Sequence, residues 1–271
     1  MVFSDWHRGQ CMELRTSRES FHLTIVTITS QHYPMSILSA KKALVLGGSR
    51  GIGAAIVKRL TQEDATTAFT YMRSAEVAEE LATQTGAQAI QVDSADRVAV
   101  SKVIAEQEAL DIMVINAGVF VAGNPLELDP TDVDRMIDVN VRAPYHAAVD
   151  SARNMNDGGR IVVIGSTNGD RMPVPQCSAY ALTKSAMQGM VRGLARDFGD
   201  RGITVNNIQP GPVDTSMNPA DGPMKDIMHS FMAIKRHATP AEIAGMVAYL
   251  VGPEASIVTG AQHTIDGGFG A

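Results

Sequence analysis

The chain has 271 residues, 45% of them hydrophobic and 19% charged, with a formal net charge of −6. That length suits one large α/β domain with a substantial core, and an acidic balance without a dense Lys/Arg run argues against a nucleic-acid binder. Its two cysteines, Cys11 and Cys177, give no disulfide framework, no Cys/His spacing suits a metal, and no run approaches the roughly 18 apolar residues of a membrane span, so a cytoplasmic protein without metal or membrane partner is expected.

Residues 1–34 read differently from the rest. MVFSDWHRGQCMELRTSRES mixes charges without a period, and HLTIVTITS is a short β-like apolar run. The order of segments does not suit a secretory signal, and Asp5, Glu13 and Glu19 do not suit a mitochondrial one. Met35 is expected to be the natural start, or residues 1–34 a poorly structured extension; a functional arm is the alternative. Residues 35–271 form the expected domain.

From Met35 onward, apolar runs alternate with helical patterns. Ala43 to Leu46 (ALVL) reads as a buried strand, IGAAIVKRL as a helix and TTAFTY as a strand. SAEVAEELATQTG is a helix closed by Gly86, AQAIQV a strand, DRVAVSKVIAEQEA a helix, and DIMVINAG a strand ending at Gly118. TDVDRMIDVNVRAPYHAAVDSARNM reads as one long helix with a proline inside. GRIVVIGS is a strand, SAYALTKSAMQGMVRGLARDFG a long helix and ITVNNIQPG a strand. Strands that are apolar throughout, separated by helices, predict a parallel sheet buried on both faces. The expected fold is a single Rossmann-like, doubly wound α/β sheet, with ligands outside the carboxyl ends of its strands.

GGSRGIG, Gly47 to Gly53, falls between the first strand and first helix of that domain. A glycine-rich turn there lets backbone amides approach a pyrophosphate at the helix N-terminus, although glycines also make ordinary turns. An NAD site usually places an acid about 20 residues onward. Here the second strand ends FTYMRS, with no carboxylate, while Arg50 lies in the loop and Arg73 follows the strand. Guanidinium groups bind phosphate well, so NADP(H) is the expected cofactor; solvated surface arginines are the alternative.

In SAYALTK, Tyr180 and Lys184 are four residues apart and share a helix face. A phenol has a free pKa of about 10, and a nearby ammonium lowers it, which would tune Tyr180 as a proton donor. Read alone, the pair also fits an ordinary helix face.

The motifs GGSRGIG, Asp93, NAG (Asn116 to Gly118), Asn140, Ser166, Tyr180-x-x-x-Lys184 and PGPVDT (Pro210 to Thr215) occur in this order. This order resembles the short-chain dehydrogenase/reductase family over nearly all of residues 35–271. The resemblance implies an NADP(H)-dependent reductase that turns a small-molecule carbonyl into an alcohol. Tyr180 would be the proton donor, Lys184 the ribose contact that lowers the Tyr180 pKa, Ser166 the partner of the reacting oxygen, and Asn140 the holder of a relay water. Gly47, Ser49, Arg50, Gly51 and Ile52 match the pyrophosphate turn, and Arg73 follows the second strand beside it. Asp93 and Ser94 match the adenine site, Asn116 and Gly118 the adenosine side, and Pro210, Val213 and Thr215 the nicotinamide end. Leu46 departs from the pattern, which has Thr there, so the turn needs another brace. Asp93, Asn140 and Ser166 also have plain structural readings as strand end, helix amide and helix cap. Cys177 reads as a loop wall residue.

A finer likeness within the family rests on GGSRGIGAAIV, APYHAA, NGDRMPV, GLARDFG, MAIKRH and TIDGGFGA. It implies an alternative role, capture of cyclic-di-GMP to promote biofilm dispersal. Asp170, Arg171, Lys235, Arg236 and His237 are the expected contacts, flanking the substrate cleft; a solvated rim is the other reading. Asp214 to His237, with Phe231 and four methionines, is expected to form a flexible, largely apolar lid. The helices of Asn140 and Tyr180 look apolar on more than one side, at Ala186, Met187, Met190 and Leu194, so a homodimer or homotetramer is expected.

Overall fold

The computed structural model describes residues 3–5, 10–12 and 36–271. The expected strand HLTIVTITS and the standing of Met35 lie outside the described residues. In the unit Met1–Met35, β1 (Phe3–Asp5) pairs antiparallel with β2 (Gln10–Met12). Everything that follows concerns the unit Ser36–Ala271.

Its sheet is built from β3 (Lys42–Leu46), β4 (Thr66–Tyr71), β5 (Gln88–Gln91), β6 (Leu110–Ile115), β7 (Met155–Ile164), β8 (Thr204–Pro210) and β9 (Gln262–Ile265). The spatial order is β5-β4-β3-β6-β7-β8-β9 and every neighbouring pair is parallel. Alternate side chains feed two cores, as strand geometry requires. Val45, Val114, Val162 and Ile208 pack with α1 (Gly51–Gln62), α2 (Ala75–Thr85) and α8 (Pro240–Val251). Leu44, Leu46, Met113, Ile161 and Val205 pack on the other face with α3 (Arg97–Glu106), α5 (Ala143–Asn154) and α6 (Ser178–Phe198). Each fully buried Leu or Ile contributes about 1.5–3 kcal/mol. The strand order reverses between β3 and β6, so their carboxyl ends diverge into a crevice.

The structure differs from expectation in three places. β6 stops at Ile115, because the Leu46 carbonyl accepts both the Asn116 N–H (3.1 Å) and the Ala117 N–H (2.8 Å), turning the chain across the end of β3. The long helix is split into α4 (Pro130–Ile137), a π-helical turn Asp138–Arg142 and α5. Pro144 has no N–H for the carbonyl of Asn140 four residues back, so a regular α-helix cannot run through. Finally, α8 and β9 complete the sheet's far edge without having been singled out. Thr239-Pro240 followed by Glu242 is a helix-start signature, and both halves of the capping box form. The segment Asp214 to His237, expected to be a lid, holds a short helix, α7 (Lys225–Phe231). Among the described residues no helix is long and apolar enough to cross a membrane.

Candidate active site

The crevice at the switch point is a cleft of about 840 Å³. Gly47, Ser49, Arg50, Gly51 and Ile52 line one end of it, where the turn after β3 enters α1. Gly47 has φ of +77°, and a Cβ there would lie 2.8 Å from Ala117 Cα; a Cβ on Gly53 would lie 2.1 Å from the Gly47 carbonyl oxygen. Gly47 and Gly53 therefore have no room for a side chain, and the backbone at the start of α1 can approach an anion closely. The brace that Leu46 cannot give comes from two other elements. Thr70 of β4 accepts the Gly47 N–H at its hydroxyl (2.9 Å) and the Gly48 N–H at its carbonyl (2.8 Å). Asn116 Nδ2 donates to the Gly47 carbonyl at 2.7 Å.

Past the turn, Arg73, Asp93 and Ser94 line the cleft, together with Arg135 from α4. No acid occupies the end of β4 among the lining residues, and Asp93 faces Arg135 at 3.2 Å. Burial pushes the Asp93 carboxyl up, but the Ala95 N–H, Arg135 and Arg73 together outweigh it and hold it below the usual range. Sequence reasoning missed Thr70 and Arg135. The Thr in TTAFTY could have been found from the gap left at Leu46, but only the tertiary fold brings α4 to the turn after β5.

At the other end, Tyr180 and Lys184 line the cleft from one face of α6, with Lys184 Nζ 5.7 Å from the Tyr180 ring centroid. The expected lowering of the Tyr180 pKa by Lys184 is not found. Tyr180 keeps part of its surface open to the cleft, yet burial pushes the phenol up to about 12; the neighbouring Ser166 hydroxyl opposes the rise and Cys177 adds to it. Lys184 is buried, which takes its amine down to about 8, and its ammonium donates to the Ile164 carbonyl at 3.1 Å. Phe120 stands edge-on to the Tyr180 ring at 4.9 Å.

Ser166 is buried at the end of β7, and its hydroxyl accepts the Asn168 N–H at 3.1 Å. Asn140, in the π-turn, has both of its side-chain N–H donors and its side-chain oxygen engaged in hydrogen bonds. Its Oδ1 accepts the Val119 N–H (2.9 Å), and its Nδ2 donates to the Val119 carbonyl (2.9 Å) and to Thr183 Oγ1 (3.1 Å). Asn140 Oδ1 and Lys184 Nζ both border Gly118, 3.5 and 3.7 Å from where its Cβ would be. Thr215 lines the cleft and leans on Gly51, its Cγ2 3.2 Å from the position of a Cβ there. Pro210 and Val213 are buried and do not line the cleft.

The expected cyclic-di-GMP contacts are engaged elsewhere and do not line the cleft. Arg171 bonds the carbonyls of Phe269 and Ala271, Asp170 accepts from Gln188, and Lys235 donates to the His229 and Met232 carbonyls. Arg236 forms a two-pronged pair with Glu242 (2.6 and 2.9 Å), and His237 is buried against His229 at 2.9 Å. The apolar side of α6 is also satisfied within the chain. Met187 and Leu194 are buried in the second core, and Ala186 and Met190 pack against it. They give no reason for self-association. Cys177 is buried, which pushes its thiol up, consistent with a wall residue.

A family model described as enoyl-(acyl carrier protein) reductase matches residues 47–270. The chain belongs to the short-chain dehydrogenase/reductase family. Among its relatives, the cyclic-di-GMP-binding biofilm dispersal mediator protein of Escherichia coli (strain K12) is 61% identical over 237 residues, 88% of this chain and 100% of that protein. The solved structure of BdcA in complex with NADPH superposes with a TM-score of 0.86 at 60% identity, covering 87% of this chain and 97% of that one. A short-chain dehydrogenase from Burkholderia cenocepacia J2315 in complex with NADP gives 0.85 at 46% identity, covering 87% and 100%. This member of the family is an NADPH-dependent oxidoreductase.

Proposed function

We propose that the chain reduces a carbonyl to an alcohol, with Tyr180 as proton donor. The observation that carries this reading is that Tyr180 and Lys184 face the same cleft as the glycine turn, with Ser166 buried beside the Tyr180 phenol. NADPH, when bound, supplies the hydride. The closed turn at Gly47 and Gly53 suits a pyrophosphate, and Arg50 and Arg73, with no acid at the end of β4, suit a 2′-phosphate. Asp93 and Ser94 border the adenine end, Asn116 and Gly118 the adenosine side, and Thr215, backed by Pro210 and Val213, the nicotinamide end.

With its pKa near 12, Tyr180 holds its proton at neutral pH. It gives that proton up only to an oxygen gaining negative charge, and Ser166 stabilises the phenolate left behind. Lys184, still largely cationic at pH 7, has ammonium protons beyond the one donated to Ile164 for a ribose hydroxyl. The Asn140 side chain ties the loop at Val119 to α6, and its main-chain carbonyl, which Pro144 cannot cap, is where a relay water would be held. Phe120 and Met217 give the substrate end an apolar wall. Steady-state NADPH oxidation across ketones, aldehydes and quinones tests the reading, and no turnover on any of them would contradict it.

The name of the 61%-identical E. coli relative favours a second reading, binding of cyclic-di-GMP. Its phosphates would meet Arg50, Arg73 and Arg135, which line the cofactor cleft. Binding should then compete with NADPH. Calorimetric titration with cyclic-di-GMP, with and without saturating NADPH, tests this; an affinity unchanged by NADPH contradicts a shared cleft.

A further inference from the structure

Behind Ser166 lies a buried carboxylate, Asp266, that does not line the cleft. Asp266, just past β9, is 9% exposed. Its Oδ1 accepts the Gly268 N–H (2.9 Å), and its Oδ2 accepts the Gly270 N–H (2.7 Å) and the Thr167 hydroxyl (3.0 Å). The two backbone bonds fold the C-terminal segment Gly267–Ala271 around the carboxylate. The third ties that segment to the 3₁₀ turn Thr167–Gly169, which follows Ser166 directly. The same turn supplies the Asn168 N–H that holds the Ser166 hydroxyl at 3.1 Å. On its other side the turn rests on α6. A Cβ on Gly169 would lie 2.9 Å from the Lys184 carbonyl, and Ser185 Oγ donates to the Gly169 carbonyl at 2.6 Å. The turn is thus held between Asp266 and the Lys184 end of the reactive helix.

The C-terminal segment reaches two further parts of the site. Gly211, which opens the PGPVDT loop, has no room for a side chain, since a Cβ there would lie 2.6 Å from Asp266 Cβ. At the lid, Ile234 N donates to the Gly267 carbonyl at 2.8 Å, and Phe231 packs edge-on against Phe269 at 5.9 Å.

We propose that Asp266 is a positioning residue for the reduction: through Thr167 it fixes the turn that aims the Ser166 hydroxyl at the Tyr180 phenol. The catalytic part of this inference rests on the reductase reading; the mechanical part does not. Small displacements of reacting groups cost up to about 100-fold in rate, and a loosened Ser166 hydroxyl should cost about tenfold. Asp266→Asn keeps the shape but turns an amide donor towards N–H or O–H groups that need an acceptor. Thr167→Val removes only the hydroxyl that joins the two segments, and serves if Asp266→Asn folds poorly.

The experiment has two readouts on wild type, both single variants and the double variant. Hydrogen–deuterium exchange of peptides spanning residues 165–172 should rise in both single variants, while peptides of the glycine turn stay unchanged. With 9,10-phenanthrenequinone and a panel of other carbonyls as probes, kcat should fall about tenfold with NADPH affinity preserved, and the double variant should be no slower than Asp266→Asn alone. The kinetic pKa assigned to Tyr180 should move upward, because the phenolate loses a hydrogen bond; a merely structural role would not move it. Unchanged exchange at residues 165–172 in Thr167→Val would overturn the positioning role. So would a loss of kcat matched by equal loss of NADPH binding, with the pH profile unmoved. Wild type inactive on the whole panel would sink the reductase reading and with it the catalytic consequence, while exchange still decides whether Asp266 holds the turn.

Discussion

Lys184 is a charged group held where burial disfavours charge. Its folded pKa of about 8 lies below the ordinary lysine value of 10.5, so between those values the unfolded chain binds more protons than the folded one. Stability from this group is therefore lowest below pH 8 and rises as pH climbs towards 10.5. Lys184→Met should remove that slope. The variant should melt higher than wild type at pH 7, and the gap should close by pH 10.5, as calorimetry at the two pH values would show. The same substitution should abolish turnover, the mark of a residue kept for function at a cost in stability. Gly53→Ala acts in the other direction. Its Cβ would fall 2.1 Å from the Gly47 carbonyl oxygen, so the turn must distort, and fluorescence titration should find NADPH binding lost even where the protein still folds. Thr70→Val, which deletes the hydroxyl bonded to Gly47 N–H, should cost about 1 kcal/mol of bracing and weaken NADPH several-fold.

At the scale of elements, α8 rests on a complete N-terminal capping box with proline in its first turn. Thr239→Ala should destabilise the protein by about 1 kcal/mol, lowering Tm by a few degrees without changing NADPH affinity. Most elements were legible beforehand because their apolar runs were buried on both faces, as in β3 and β6, or closed by a recognisable cap, as at Gly86 of α2 (φ +73°). The helix through Asn140 reads as continuous in the sequence, since periodicity does not register a π-turn, although Pro144 is the clue to it. The glycine turn, Tyr180 and Lys184 were readable because each is local in sequence. Arg135 and the bracing role of Thr70 were not, because they meet their partners only across the fold. The direction of the Tyr180 pKa was misjudged for a related reason: spacing shows which charge is near, and only packing shows how much water is lost.

For the folded unit Ser36–Ala271 as a whole, two properties follow from surfaces rather than single contacts. Three arginines, Arg50, Arg73 and Arg135, line the cleft. NADPH should therefore bind much more tightly than NADH at moderate salt, and Arg50→Ala should narrow the gap by weakening NADPH selectively. Comparable dissociation constants in the wild type would contradict this. The outward side of α6 carries exposed Leu182, and Gly189 and Gly193 have open space where a side chain would be. With its inward apolar residues satisfied by the chain's own core, this outer side is where a homodimer or homotetramer would form, and light scattering at micromolar concentration should give a mass above that of one chain. The measurement that tests the central claim most directly is NADPH oxidation on a carbonyl panel by wild type and Tyr180→Phe, with NADPH affinity measured in parallel. Turnover by the wild type, its loss in the variant and nearly equal affinities are the predicted result. Undiminished turnover without the phenol hydroxyl would contradict Tyr180 as the proton donor.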